Sequence, residues 1–252
     1  MSPKSKVRKK PPKHRSADPR ARQAAAEAAQ ASRRTWVRVA VVVLVVLTVF
    51  GLLFTVLSGG DGGDEGADTA SGNCPEVDGS SPRTTSFAAP PPVCISSSKT
   101  YVADMQTSKG LITITLNAQS APRTVNNFVV LARYHYFDTQ VFHRIIPGFV
   151  VQGGSPDGSG NGNPGYQFAD ELPQAGAYKV GSLAMANSGP DTNGSQFFII
   201  VGDQGVGLPP NYSLFGQVTG GIDVAHAIEA VGTGSGEPTE MVTIQTVTIK
   251  ET

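Results

Sequence analysis

Arg144 stands in the short run Phe142-His143-Arg144-Ile145-Ile146, with apolar residues on both sides. Burying a guanidinium there without a partner would be costly, so Arg144 is expected to line a cleft. Gln152 precedes the Gly153-Gly154 turn, and three further amides, Asn187, Asn193 and Gln196, lead into Phe197-Phe198. None of these groups is set up for proton transfer. Together they supply hydrogen-bond donors beside apolar walls, which suits a reaction that moves electron density without breaking a bond.

The commoner catalytic constellations do not appear. His143 and His226 lack a Cys or His partner at metal spacing, and two cysteines cannot build a four-cysteine zinc site. No metal site is therefore expected. Ser155, Ser188 and Ser195 lie near glycines, but none completes a G-x-S-x-G elbow. The glycine-rich Gly158–Gly162 stretch has no Lys-Ser/Thr to make it a phosphate loop. Asp170 and Glu171 are adjacent, so they diverge on any regular element instead of facing each other as an acid and a base. They read as a solvated turn.

Side chains so scattered need short, stiff elements to bring them together. Leu111–Leu116 and Val242–Ile249 alternate apolar residues with Thr or polar ones, the period of half-buried strands. Shorter β-type runs occupy Phe142–Ile146, Gln196–Val201 and Leu214–Val218. Ala121–Tyr134 differs: Val125, Phe128, Val129 and Ala132 fall at i, i+3, i+4 and i+7, with Ser120 available as N-cap and Pro122 in the first turn. A second helix is expected over Ile222–Val231, ended by Gly232. Glycine-rich loops at Gly153–Gly165 and Gly202–Gly207 punctuate the rest. Many short strands, two helices and no repeating βαβ order predict a mainly β domain, a closed antiparallel barrel whose ends the helices cap.

The 252 residues carry 20 Lys+Arg and 20 Asp+Glu, and this zero net charge conceals a division. Residues 1–38 hold twelve basic side chains against Asp18 and Glu27, while the remainder is acidic by the same margin. At the junction, Val39–Leu57 is 19 residues long without a charge. As a helix it would be roughly 28 Å long, close to the ~30 Å hydrocarbon core of a bilayer. No small-residue cleavage pattern follows in Ser58–Gly66, so an uncleaved transmembrane anchor is predicted over residues 36–57, from Trp36 to Leu57. Arg33, Arg34 and Arg38 place the N-terminus in the cytoplasm and the C-terminal domain outside it. Residues 1–35 then form a basic cytoplasmic tail, largely disordered, that sets topology. It has no interleaved aromatics, and no nucleic-acid partner is expected.

Residues 58–98 are rich in Gly, Ser and Pro and show neither period, so they are expected to be a flexible linker. Cys74 and Cys94 lie within it, on the side of the membrane where disulfides persist. A bridge between them would close a loop of about 20 residues and contribute about 3 kcal/mol. The spacing alone does not decide between a bridge and two free thiols.

Two longer runs, Phe142–Gly154 (FHRIIPGFVVQGG) and Met185–Phe198 (MANSGPDTNGSQFF), closely resemble the two signature segments of cyclophilins. Ala121–Phe128 (APRTVNNF) and Leu214–Gly216 (LFG) look like that family's first helix and a late barrel strand. The resemblance covers Thr100–Thr252, and the domain is assigned to residues 99–252. It implies an eight-stranded antiparallel barrel with two helices, peptidyl-prolyl cis-trans isomerase activity, no cofactor, and proline-containing polypeptides as partners. Carried onto this sequence, it makes Arg144 the catalytic arginine. Phe149, Val150, Phe198 and Leu208 match the proline pocket, Val150 standing where a methionine is frequent. Gln152 would hold the substrate carbonyl, while Ala186, Asn187 and Gln196 would line the groove beside the peptide backbone. Two departures occur in Gly207–Tyr212 (GLPPNY): it has no tryptophan, and Tyr212, also assigned to the substrate site, stands where a histidine is common. Both bear on cyclosporin affinity more than on catalysis. The sequence thus predicts a bacterial, membrane-anchored isomerase that assists folding outside the cytoplasmic membrane. A membrane-tethered proline-peptide binding module without significant turnover is the alternative, and acceleration of X-Pro isomerisation separates the two.

Overall fold

The computed structural model describes residues 73–252. The basic tail, the predicted span Trp36–Leu57 and the first residues of the linker lie outside that range. Among the described residues no helix is long and apolar enough to cross a membrane.

The alternation read in the sequence builds the strands with one wet face. β1 (Tyr101–Thr107) and β2 (Gly110–Leu116) pair as a hairpin, with Ala103, Met105, Ile112 and Ile114 fully buried between partly exposed neighbours. After α1 (Pro122–Arg133) come β3 (Arg144–Ile146), β4 (Val150–Gly153), β5 (Ser182–Met185) and β6 (Phe197–Ile200). A single helical turn, α2 (Asp203–Val206), leads to β7 (Leu214–Gly220), α3 (Ile222–Glu229) and β8 (Ile244–Glu251). The eight strands form one sheet in the order β3-β4-β6-β5-β7-β2-β1-β8, with every pairing antiparallel.

Two features of the expected barrel are corrected. The ladder does not close, because β3 and β8 are not laddered to each other. The seam between them is spanned by an isolated bridge, Val141 with Thr243, flanked by bonds from Phe142 N–H to Val242 O (3.0 Å) and from Ile244 N–H to Gln140 O (2.7 Å). The outer edge of β3 is occupied by a loop instead: Ile145 N–H donates to Gly236 O at 2.8 Å, and Ile145 O accepts from Thr233 N–H at 3.2 Å. The helices number three among the described residues, because one turn, α2, lies inside the glycine-rich stretch that read as loop.

The core is aromatic. Phe128 on α1 stacks on Phe137 (centroids 4.9 Å apart) and meets Phe197 and Phe215 at 5.7 and 5.3 Å. α1 starts at the expected place, but its N-terminus is not capped by Ser120. Ala121 occupies the cap position and makes no side-chain cap bond. Glu171 serves from a distant loop: its carboxylate accepts from Arg123 N–H (3.0 Å), Thr124 N–H (2.8 Å) and the Thr124 hydroxyl (2.7 Å). Asp170 turns the other way and accepts from Asn193 Nδ2 (2.7 Å) and Asp191 N–H (2.9 Å). The two carboxylates diverge, but they are structural ligands and not a solvated turn. Replacing Glu171 by Ala is expected to lower stability by about 1–2 kcal/mol, with Glu171→Gln losing less, read as shifts of the urea midpoint.

The described part of the presumed tether is also corrected. Residues 73–98 lie against the domain as an ordered strap, with Ser81, Thr84 and Phe87 buried. Cys74 and Cys94 are joined as a disulfide, Cα atoms 5.4 Å apart. The strap has no helical or strand period because its buried residues recur every third position, a spacing compatible with extended, proline-rich chain.

Candidate active site

Strands buried on both faces make the site. On β4, β5 and β6 one face points into the aromatic core through Val151, Leu183, Phe197 and Ile199. The opposite face, carrying Val150, Ala184, Phe198 and Ile200, builds a second, smaller apolar cluster. Residues two apart share a face, and the register then sets a row across four strands: Arg144 opposite Gln152, Gln152 opposite Phe198, and Phe198 opposite Ala184. The chain from α2 to β7 covers this row, laying Leu208 and Tyr212 against the cluster.

The result is a pocket of about 250 Å³. Its polar rim is Arg144, Gln152 and Asn187, and its walls include Phe149, Val150, Ala186, Phe198, Leu208 and Tyr212. Nine of the ten predicted site residues therefore meet in one cavity. The tenth, Gln196, lies one step away and lines an adjoining polar pocket with Ala186 and Asn187. Asn193 does not reach the site. It is fully buried, and its amide donates to Asp170 Oδ1.

Arg144 is held from two sides. Its Nη1 donates to Gln152 Oε1 at 3.3 Å, and its guanidinium carbon lies 5.6 Å from the centre of the Phe149 ring. Among the described residues no carboxylate forms an ion pair with it. Its remaining N–H groups are thus not committed to an acidic partner. Gln152 Nε2 donates to Gln196 Oε1 (3.1 Å), and Gln196 Nε2 donates to the carbonyls of Gly160 (2.9 Å) and Gly162 (3.0 Å). The far wall is fixed similarly. Asn187 Nδ2 donates to Asn211 O (2.9 Å), and Tyr212 packs edge-on to Phe198 at 5.4 Å.

Several supporting residues were not legible in the sequence. Tyr178 donates to Tyr212 O (2.7 Å) and accepts from Tyr212 N–H (3.1 Å), so it fixes the cover segment. Glu229 on α3 accepts from Gly148 N–H, holding the turn that presents Phe149. Gly236 passes beside the Arg144 stem, where an added Cβ would lie 3.1 Å from Cγ. No local motif announces such partners, because each acts across a long separation in sequence. Two of the three serines that lie near glycines have structural duties: Ser155 donates to Asp157 (2.7 Å) and Ser195 to Gly154 O (2.7 Å).

His143, beside the catalytic candidate, is partly buried. Burial holds its imidazole below the ordinary value, the Arg144 charge acts in the same direction, and Asp157 opposes them. An unfolded chain therefore binds this proton first, and stability that is complete above about pH 6.5 is lost as pH falls through the folded value. His135 has the opposite sign. Its bond to Gly79 O, and the facing Asp138, raise its pKa, so its contribution is present at low pH and lost as pH rises through the raised value. Urea midpoints measured between pH 5 and 8 are expected to show less acid-side loss in His143→Gln and less alkaline-side loss in His135→Gln.

A site that can grip and polarise an amide fits the class of enzymes that rotate peptide bonds without cleaving them. The comparisons with known proteins agree. A sequence model described as cyclophilin type peptidyl-prolyl cis-trans isomerase/CLD matches residues 102–249. A probable peptidyl-prolyl cis-trans isomerase A of Mycobacterium bovis is 43% identical over 169 residues, covering 60% of this chain and 92% of that protein. Peptidyl-prolyl cis-trans isomerase B of Streptomyces anulatus is 42% identical over 168 residues, covering 59% and 95%. A crystal structure of a Cryptosporidium parvum cyclophilin type isomerase, determined in the presence of the dipeptide Ala-Pro, superposes with a TM-score of 0.54 at 30% identity, covering 59% and 98%. The chain belongs to the cyclophilin-type peptidyl-prolyl cis-trans isomerase family, and its activity is isomerisation of X-Pro peptide bonds.

Proposed function

We propose that this isomerase is a bacterial, membrane-anchored form that acts on proline-containing proteins outside the cytoplasmic membrane, with Arg144 as its catalytic group. The observation that carries the assignment of the site is the row Arg144, Gln152, Phe198 across one sheet face, opening onto an apolar pocket with room for a proline ring. The Cryptosporidium relative crystallised in the presence of Ala-Pro supports a proline-containing ligand here.

The mechanism follows from amide resonance. A planar X-Pro bond is held by a barrier of about 18–20 kcal/mol, and uncatalysed exchange takes tens to hundreds of seconds. At the twisted midpoint resonance is lost and the prolyl nitrogen regains a lone pair. With the ring seated against Phe149, Val150, Phe198 and Leu208, the Arg144 guanidinium can donate to that nitrogen while Gln152 steadies the preceding carbonyl. A donor matched to the twisted form and to neither planar form lowers the barrier. No proton or covalent bond is exchanged.

The anchor reading rests on the charge-free Val39–Leu57 run with its basic flank and on the Cys74–Cys94 pair, which suits an oxidising compartment. Protease added to intact cells stripped of their outer layers is expected to digest the isomerase domain and spare residues 1–35. Protection of the domain until the membrane is permeabilised would reverse the orientation.

A further inference from the structure

The strap carries one side chain into the main core, and that side chain also touches the loop behind the site. One end of the strap is clamped by the turn after α1. Arg83 donates to His135 O (3.2 Å) and Asp138 O (2.7 Å), His135 Nε2 reaches Gly79 O (2.8 Å), and Thr84 N–H donates to Tyr134 O (2.9 Å). The other end is clamped by Asn126 on α1, which accepts from Cys94 N–H (2.7 Å) and donates to Pro92 O (2.8 Å). Between the clamps Phe87 is 5% exposed, its ring against Tyr134, Tyr136 and Tyr166. Its N–H donates to Pro164 O at 2.8 Å. Gly165 (φ +104°) runs so close that a Cβ there would collide with the Phe87 carbonyl.

This contact continues into the site. Pro164 belongs to the loop whose Gly160 and Gly162 carbonyls accept from Gln196 Nε2. With both amide hydrogens so directed, Gln196 must offer Oε1 to Gln152 Nε2, and Gln152 must then offer Oε1 to Arg144. The position of the loop therefore sets the orientation of two carboxamides in series, and through them the guanidinium.

We propose that Phe87 is a positioning residue for the isomerase: it seats the 160–166 loop, and so aligns Gln196, Gln152 and Arg144, with the Cys74–Cys94 bridge keeping its strap in place. The proposal rests on the reading of Arg144 as the catalytic group. The test uses the full-length chain in mild detergent, an X-Pro peptide, and the side-chain amide resonances of Gln196 and Gln152 in proton–nitrogen spectra. Phe87→Ala is expected to lower kcat about five- to tenfold with KM within twofold, and Phe87→Leu about twofold, while both amide resonances shift and the backbone resonances of β2 and β7 stay. Arg83→Ala, which removes the side-chain bonds to His135 O and Asp138 O and so loosens the strap at the turn after α1 only, is expected to keep kcat. Wild-type kcat and unmoved Gln196 resonances in a folded Phe87→Ala protein overturn the proposal, as does an equal loss in Arg83→Ala. Should Phe87→Ala not fold, the same two readouts in Phe87→Leu decide it. Arg144→Ala is run in parallel, and unchanged turnover there removes the site reading itself, a result distinguishable from failure at Phe87.

Discussion

Arg144→Ala is expected to lower kcat/KM for X-Pro isomerisation ten- to a hundredfold while peptide binding changes little. A hydrogen bond to a charged partner is worth about 1.5–3 kcal/mol, and each 1.4 kcal/mol is a factor of ten in rate. The asymmetry between turnover and binding is the informative part. The prolyl nitrogen accepts a hydrogen bond only once the amide has twisted, so the bond is absent from either planar ground state, and the loss belongs in kcat. Arg144→Lys tests geometry apart from charge. The guanidinium is held by Gln152 at 3.3 Å and by the face of Phe149 at 5.6 Å, and an ammonium cannot reproduce a planar, stacked fork. Lysine is therefore expected to recover only part of the activity. Equal losses of binding and turnover in Arg144→Ala would mean that the residue holds substrate and does not favour the twisted form.

What could be read beforehand divides along physical lines. β2 and β8 were legible because each has one wet face and therefore alternates, and α1 was legible because its core stripe repeats at helical spacing. β4 and β5, buried at nearly every residue, have no alternation to show, and β6, equally buried, was legible only through its run of β-favouring residues, whereas β1 alternates but went unread. That same double burial creates the site, with Val151 and Phe197 facing the core and Val150 and Phe198 facing the pocket. Seven of the nine residues that line the cavity were identifiable because they fall within two contiguous runs resembling known signature segments; Leu208 and Tyr212 came from the separate Gly207–Tyr212 segment through the same resemblance. Those that hold them, Tyr178, Glu229 and Phe87, come from distant stretches with no local pattern. The cap of α1 was missed for a related reason: Glu171 is 47 residues from Thr124 in sequence, and Ser120 offered a plausible local substitute. The strap was misread because composition reports the absence of a regular period, whereas order here comes from a disulfide, two clamps and one aromatic anchor.

Opening the Cys74–Cys94 bridge, by Cys74→Ser with Cys94→Ser, is expected to cost about 3 kcal/mol of unfolding free energy, roughly a hundredfold or more in the folding equilibrium. The two cysteines are separated by 20 residues, and closing a loop of that size removes entropy chiefly from the unfolded chain. The effect should therefore appear in the denaturation midpoint even where the native contacts persist. Those contacts are numerous: Asn126 grips Pro92 and Cys94, and Arg83 grips the turn after α1, whether or not the sulfurs are joined. The double variant should then fold with the strap in place at low temperature and lose it on mild warming, seen as faster amide exchange at Thr84 and Phe87, whose N–H groups bond across to Tyr134 and Pro164. A loss below about 1 kcal/mol would show that the unfolded chain keeps enough residual structure around the loop for the bridge to add little. A loss near 3 kcal/mol makes stability depend on redox compartment. The domain would then be strongest on the oxidising side of the membrane, where the charge distribution of residues 1–38 is proposed to deliver it.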